Sequence, residues 1–191
     1  MLNFNFPIIK EKFKQHTILR EKILKAINNQ EVDSLNEIDN YYTDKISRLD
    51  WNQAKNANRP WVQLFINDFI NHLNKEMLKL SLTKPKLSEI WFQQYFNNDT
   101  HGWHTHGNNF TGVYYLELND CSPRTQLVEP VSLNLVEVDA EEGDIVIFPS
   151  IYIHRAPRIK TEKRKTIISF NFDCNVIYQD TLDRLKNLYA I

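Results

Sequence analysis

With 191 residues, 42% hydrophobic and 25% charged, the chain has the make-up of a globular protein and can bury a sizeable core. A formal net charge of -1 removes the electrostatic case for nucleic acid or an anionic membrane surface as partner. No apolar run approaches a membrane span, no signal peptide opens at Met1, and Cys121 and Cys174 have no disulfide spacing, so a cytoplasmic location is expected.

Residues 2–9 are apolar and read as a short edge strand ended by Pro7. Ile18, Leu19, Ile23, Leu24 and Ile27 recur at helical spacing, with Thr17 as N-cap and Asn28-Asn29 as the stop. Residues 30–50 are polar with scattered apolar anchors and read as a loop with one weak helix. Pro60 fits a first helical turn, and Val62, Phe65, Phe69, Leu73 and Met77 then form a stripe that should pack on a sheet.

Pro85 is expected to end the helical region. From 87 to 96 the chain alternates, with Ile90, Phe92 and Phe96 on one face and Glu89, Trp91, Gln93 and Tyr95 on the other. The second face is polar and aromatic, which makes Gln93 and Tyr95 candidate pocket residues. Short strands follow at His104, 110–118, 133–138, 145–148, 151–154 and 167–174, separated by turns such as Asn97-Asn98-Asp99 and Glu141-Glu142-Gly143-Asp144. Residues 124–131 read as a flexible loop over a pocket mouth, and 181–189 as a closing helix. The expected fold is mainly β with flanking helices around a double-stranded β-helix (jelly-roll, cupin-like) core. One domain is expected over 1–191: a mostly helical part at 1–86, the jelly roll at 87–178 and a terminal helix at 179–191.

The chemistry concentrates between Trp103 and Phe172. Side chains at i and i+2 of a strand share a face, so His104 and His106 can reach one metal ion together. His154 lies far enough along for several antiparallel strands to return to the same place, which suggests a mononuclear metal centre. His16 and His72 read as surface or hydrogen-bonded residues, and His101 as a loop residue before the strand. Arg164 heads an apolar strand with Thr166 on its face and is expected to point inward. Lys165 then points the other way, and would replace Arg164 if the register slips by one.

Together these residues resemble the 2-oxoglutarate- and iron(II)-dependent oxygenases, nearest to a prolyl-hydroxylase-like subgroup common among bacterial and phage proteins of unknown substrate. The resemblance covers about residues 87–174. It implies His104 as first ligand, His154 as distal ligand, Arg164 as the partner of the co-substrate's far carboxylate, and Tyr115 or Thr166 as a hydroxyl donor to it. It also implies 2-oxoglutarate, O2 and a primary substrate as partners, and hydroxylase-like chemistry at His104, His106 and His154. The sequence departs from the family in placing His106 where a carboxylate ligand usually stands. A three-histidine dioxygenase without 2-oxoglutarate and a non-enzymatic jelly-roll module remain the alternatives.

Overall fold

Period-two alternation builds the sheets, and helical spacing supplies the layer that covers one of them. The computed structural model describes residues 8–38 and 43–177. Strand β1 (Ile9–Lys12) leads into helix α1 (His16–Asn28), whose buried stripe is Ile23, Leu24 and Ile27. Strands β2 (Asp33–Ile38) and β3 (Thr43–Leu49) follow, then helices α2 (Pro60–Gln63) and α3 (Ile66–Lys79). The remaining strands are β4 (Leu82–Tyr95), β5 (His101–His104), β6 (Phe110–Glu117) and β7 (Gln126–Val128). Strands β8 (Leu135–Glu137), β9 (Asp144–Pro149), β10 (His154–Ala156) and β11 (Lys165–Ile177) complete them.

Among the described residues the strands form two antiparallel sheets. Seven take the order β1-β9-β6-β11-β4-β3-β2, and four take the order β5-β10-β7-β8. Neighbours in space are mostly not neighbours in sequence, which is the connectivity of the expected jelly roll.

The large sheet separates two apolar layers. On one face Ile90, Phe92, Tyr114, Ile168, Phe170 and Phe172 meet Phe13, Trp61, Phe65, Phe69, Leu73 and Met77 from the helical side. Each such side chain stabilises by roughly 1.5–3 kcal/mol when fully buried. Close packing shows at Gly112, where an added Cβ would lie 2.2 Å from the Phe170 ring and 2.7 Å from the Val146 carbonyl. The other face carries Tyr95, Val113, Tyr115, Val146, Phe148 and Ile167 toward the small sheet.

Several elements differ from the sequence reading. Residues 33–38 and 43–49 pair as the antiparallel strands β2 and β3 instead of forming a loop with a weak helix. The deeply buried residues there are Asp44, Ile46 and Leu49, so the apolar alternation is interrupted by a buried carboxylate and masked by polar residues on the exposed face. Pro85 lies inside β4, opposite Cys174, rather than ending a helical region. A proline is tolerated because β3 pairs with β4 only at Gln93 and Gln94, leaving the Pro85 side of the strand without a neighbour to donate to. The helix expected from Pro60 onward breaks at Phe65, whose φ of -141° leaves the helical region and drops its ring into the core. Residues 126–128 are strand β7, paired with β10 and β8, not a loop over a mouth. The first strand is Ile9–Lys12, whereas most of the expected 2–9 segment, like the helix expected at 181–189, lies outside the described residues. Among those residues no helix is long and apolar enough to cross a membrane.

Candidate metal centre

His104 ends β5 and His154 opens β10, and the two are register partners across the small sheet. His106 lies two residues beyond β5, held by its N–H donating to the Ser150 carbonyl at 3.0 Å. One continuous strand therefore does not present both histidines; the turn at Pro149–Ser150 steers the second. The three rings nevertheless converge, with centroids 4.2 Å apart for His104–His154 and 5.1 Å for each pair with His106. One nitrogen from each lies within 4.8 Å of the others.

The hydrogen bonds select which nitrogens face the centre. His104 Nδ1 contacts the Gly102 carbonyl at 2.7 Å, and His154 Nδ1 the Tyr152 carbonyl at 2.9 Å. A carbonyl only accepts, so both Nδ1 atoms carry the proton and each Nε2 keeps a free lone pair. Phe148 packs its edge on the His154 ring at 4.9 Å. Burial lowers the pKa of His104, of His106 to about 4 and of His154 to about 2, with neighbouring imidazoles adding to the last two. Neutral imidazoles with oriented lone pairs are the form that ligates a divalent ion, so the donor set fits one.

A narrow cleft with a cavity volume of about 20 Å³ adjoins the histidines. Gln93 and Tyr95 line it as expected, together with Thr125, Ile167 and Ser169. Tyr95 is fully buried, and its hydroxyl has no hydrogen-bond partner among the described residues.

The strand carrying the basic residues is inverted relative to expectation. Arg164 points away from the histidines: its guanidinium pairs with Glu117 at 2.7 and 3.1 Å and donates to Asn28 Oδ1 at 3.1 Å. Thr166 donates to the same Glu117 at 2.7 Å. These two residues share a face, as expected, but it is the helix-covered one. Lys165 takes the inward place. Its side chain is fully buried, its Nζ donates to the Pro123 carbonyl at 2.7 Å, and it lies 5.6 and 5.8 Å from the Tyr95 and Tyr115 rings. Burial, with Arg124 nearby, pulls its pKa down to about 7. Tyr115 is on the same side, where its hydroxyl donates to Thr125 Oγ1 at 2.8 Å and accepts from the Thr125 N–H at 3.1 Å.

Other residues near the centre escaped the sequence reading. His101 is on β5, not in a loop, and its ring stacks on His104 at 4.0 Å and 22°. Asn171 Nδ2 lies 3.4 Å from His106 Nδ1 and donates to Glu89 Oε2 at 2.7 Å. The available signal was parity, since Lys165, Ser169 and Asn171 alternate with the apolar Ile168, Phe170 and Phe172 along β11. His16 bonds the Tyr114 hydroxyl at 2.8 Å, and neither it nor His72 joins the cluster.

Three solved structures share this architecture. A prolyl hydroxylase from Trichoplax adhaerens, in complex with a hypoxia inducible factor peptide fragment, aligns with TM-score 0.63 at 13% identity, over 87% of this chain and 83% of its own. A Pseudomonas putida prolyl-4-hydroxylase gives 0.59 at 12%, over 88% and 93%. HygX from Streptomyces hygroscopicus, with nickel and 2-oxoglutarate bound, gives 0.61 at 9%, over 88% and 83%. At such identities these likenesses establish the fold alone. The sequence adds the decisive match: residues 89–171 fit the family described as "Putative 2OG-Fe(II) oxygenase". Over that segment, which is less than half of its length, the chain is similar to the 2OG-Fe(II) oxygenases. No curated protein shows a significant sequence match. The family match supports an enzyme that uses iron(II) and 2-oxoglutarate, and the matched segment covers the second half of β4, the histidines and the first half of β11.

Proposed function

We propose that His104, His106 and His154 hold one iron(II) and that Lys165 receives the distal carboxylate of 2-oxoglutarate, in a hydroxylase acting on a peptide side chain or a small metabolite. When bound, the metal and 2-oxoglutarate supply oxidation of a substrate C–H bond by O2. The chain's own residues supply position and a water-poor cavity. His104 and His154 are oriented by backbone carbonyls, so metal entry needs no tautomer change at either ring.

Lys165 carries the proposal. A fully buried ammonium is costly without an anion, and among the described residues the one hydrogen bond its Nζ makes is to the Pro123 carbonyl. A carboxylate that reaches Lys165 past Tyr95, which lines the cavity and whose ring lies 5.6 Å from the Nζ, would restore its charge and accept a charge-assisted hydrogen bond. The unpartnered Tyr95 hydroxyl adds a second donor. Tyr115 has both hydroxyl contacts engaged with Thr125, so it acts by fixing Thr125, whose side chain lines the cavity. Arg164, bound to Glu117 on the opposite face, takes no part.

Titration of 2-oxoglutarate into the metal-loaded protein tests this. Lys165→Met should weaken binding by roughly ten- to a hundredfold, the size of a charged hydrogen bond of about 1.5–3 kcal/mol. Arg164→Ala should bind like the parent. The reverse ranking would return the carboxylate to Arg164, and equal binding in both variants would place it elsewhere.

A further inference from the structure

A protein centre with two histidines and one carboxylate brings a negative charge to its metal, and three neutral imidazoles bring none. The structure holds a carboxylate close by. Asp44, on β3, is fully buried, and its Oδ1 accepts from the Gly102 N–H at 2.6 Å. Its Oδ2 has no hydrogen-bond partner among the described residues and lies 3.7 Å from His101 Nε2. Among those residues His101 is the only basic side chain within ion-pairing distance of the Asp44 carboxylate, and no lysine or arginine pairs with it.

The surrounding polar groups point the same way. Ser169 Oγ donates to Gln93 Oε1 at 3.0 Å, which leaves the Gln93 amide N–H facing His101 Nδ1 at 3.4 Å. His101 Nδ1 is then the acceptor, and its Nε2 carries the proton toward Asp44. The His101 ring in turn lies flat on His104 at 4.0 Å. A second route runs through Gly102, whose N–H is held by Asp44 and whose carbonyl accepts from His104 Nδ1 at 2.7 Å.

We infer that Asp44, acting through His101 and Gly102, is the anionic counter-charge and positioning residue of the three-histidine centre. A buried carboxylate without a cation is unfavourable. A divalent ion held by three neutral ligands has charge to be offset. Each is the natural complement of the other, and β3 places them on adjoining elements. This inference rests on the three-histidine reading of the centre.

The test uses the whole chain and cobalt(II) alone as probe, with the dissociation constant measured by chelator competition and the ligand-field spectrum recorded. Asp44→Asn keeps an oxygen for the Gly102 N–H and removes the charge. It should weaken cobalt binding by about 10–100-fold, the usual range for partners behind a ligand. The spectral form should be retained, and the metal-free melting temperature should be unchanged or higher. His101→Gln should weaken binding less, and Asp44→Asn should cost less in that background, because the two share one route. If Asp44→Asn does not fold, His101→Gln decides alone: parental affinity there overturns the inference. An Asp44→Asn protein with parental affinity and a lowered metal-free melting temperature assigns Asp44 a structural role and overturns it too. His154→Ala is the control for the centre itself. If that variant binds cobalt like the parent, or the parent binds none, the three-histidine reading fails and the inference fails with it.

Discussion

The two faces of β11 obey different rules, although they alternate residue by residue. Toward the helices stand Ile168, Phe170 and Phe172, all fully buried and packed on α3 and its neighbours. Toward the small sheet stand Lys165, Ser169 and Asn171, equally removed from water but polar. The first face is satisfied by any close packing of carbon. The second requires a partner for each polar atom, and Lys165, Tyr95 and Asp44 lack full partners among the described residues. A core that leaves such groups waiting is built to receive something.

The comparison breaks most visibly at the metal. His154→Ala should lower divalent metal affinity by at least a hundredfold, read as metal content after dialysis, with a modest change in melting temperature. Equal metal in variant and parent would remove the centre from the polar face.

The dry face should behave oppositely. Phe170 is fully buried and meets Phe69 edge-on at 4.8 Å. Phe170→Ala should destabilise by about 3–5 kcal/mol in denaturant unfolding, while the metal affinity of the folded fraction stays within about threefold of the parent.

Lys165 sharpens the comparison through pH. Its native pKa of about 7 lies below the unfolded value near ~10.4. Between these values the unfolded chain binds the extra proton, so the stability of the metal-free protein should rise with pH across that window and be flat below it. The rise attributable to this group is on the order of a few kcal/mol. It should vanish in Lys165→Met, measured as the difference between the two proteins' unfolding free energies from pH 6 to pH 10. A flat difference would show that Lys165 is not buried as a free base.

The smallest effect is expected at Arg164. Its pair with Glu117 is partly exposed, with side chains 26% and 22% accessible. Arg164→Ala should cost about 0.5–1 kcal/mol and leave 2-oxoglutarate binding unchanged.

The sequence by itself determined the apolar stripes, the run of short strands and the histidine set. Those follow from local periodicity and from residue types that suit few other purposes: Ile23, Leu24 and Ile27 on α1, Ile168 and Phe170 on β11, and His104, His106 and His154 at the centre. It also singled out Gln93 and Tyr95 as cavity wall, because a polar face on a buried strand has few other uses. Only the tertiary structure decided which of Arg164 and Lys165 faces inward. Both are basic, and a shift of one residue exchanges the faces of a strand. The choice depends on pairing that is not local: β6 skips Leu116 where Thr166 gives way to Ile167, and Glu117 stands ready on the helix side to take the guanidinium. The same holds for Asp44 and His101. They are far apart in the chain, one on a strand that looked like a loop, and meet because β3 and β5 are folded side by side. Periodicity reports which way a side chain points within its own element. What it meets there is set by the sheet order, which no local pattern encodes.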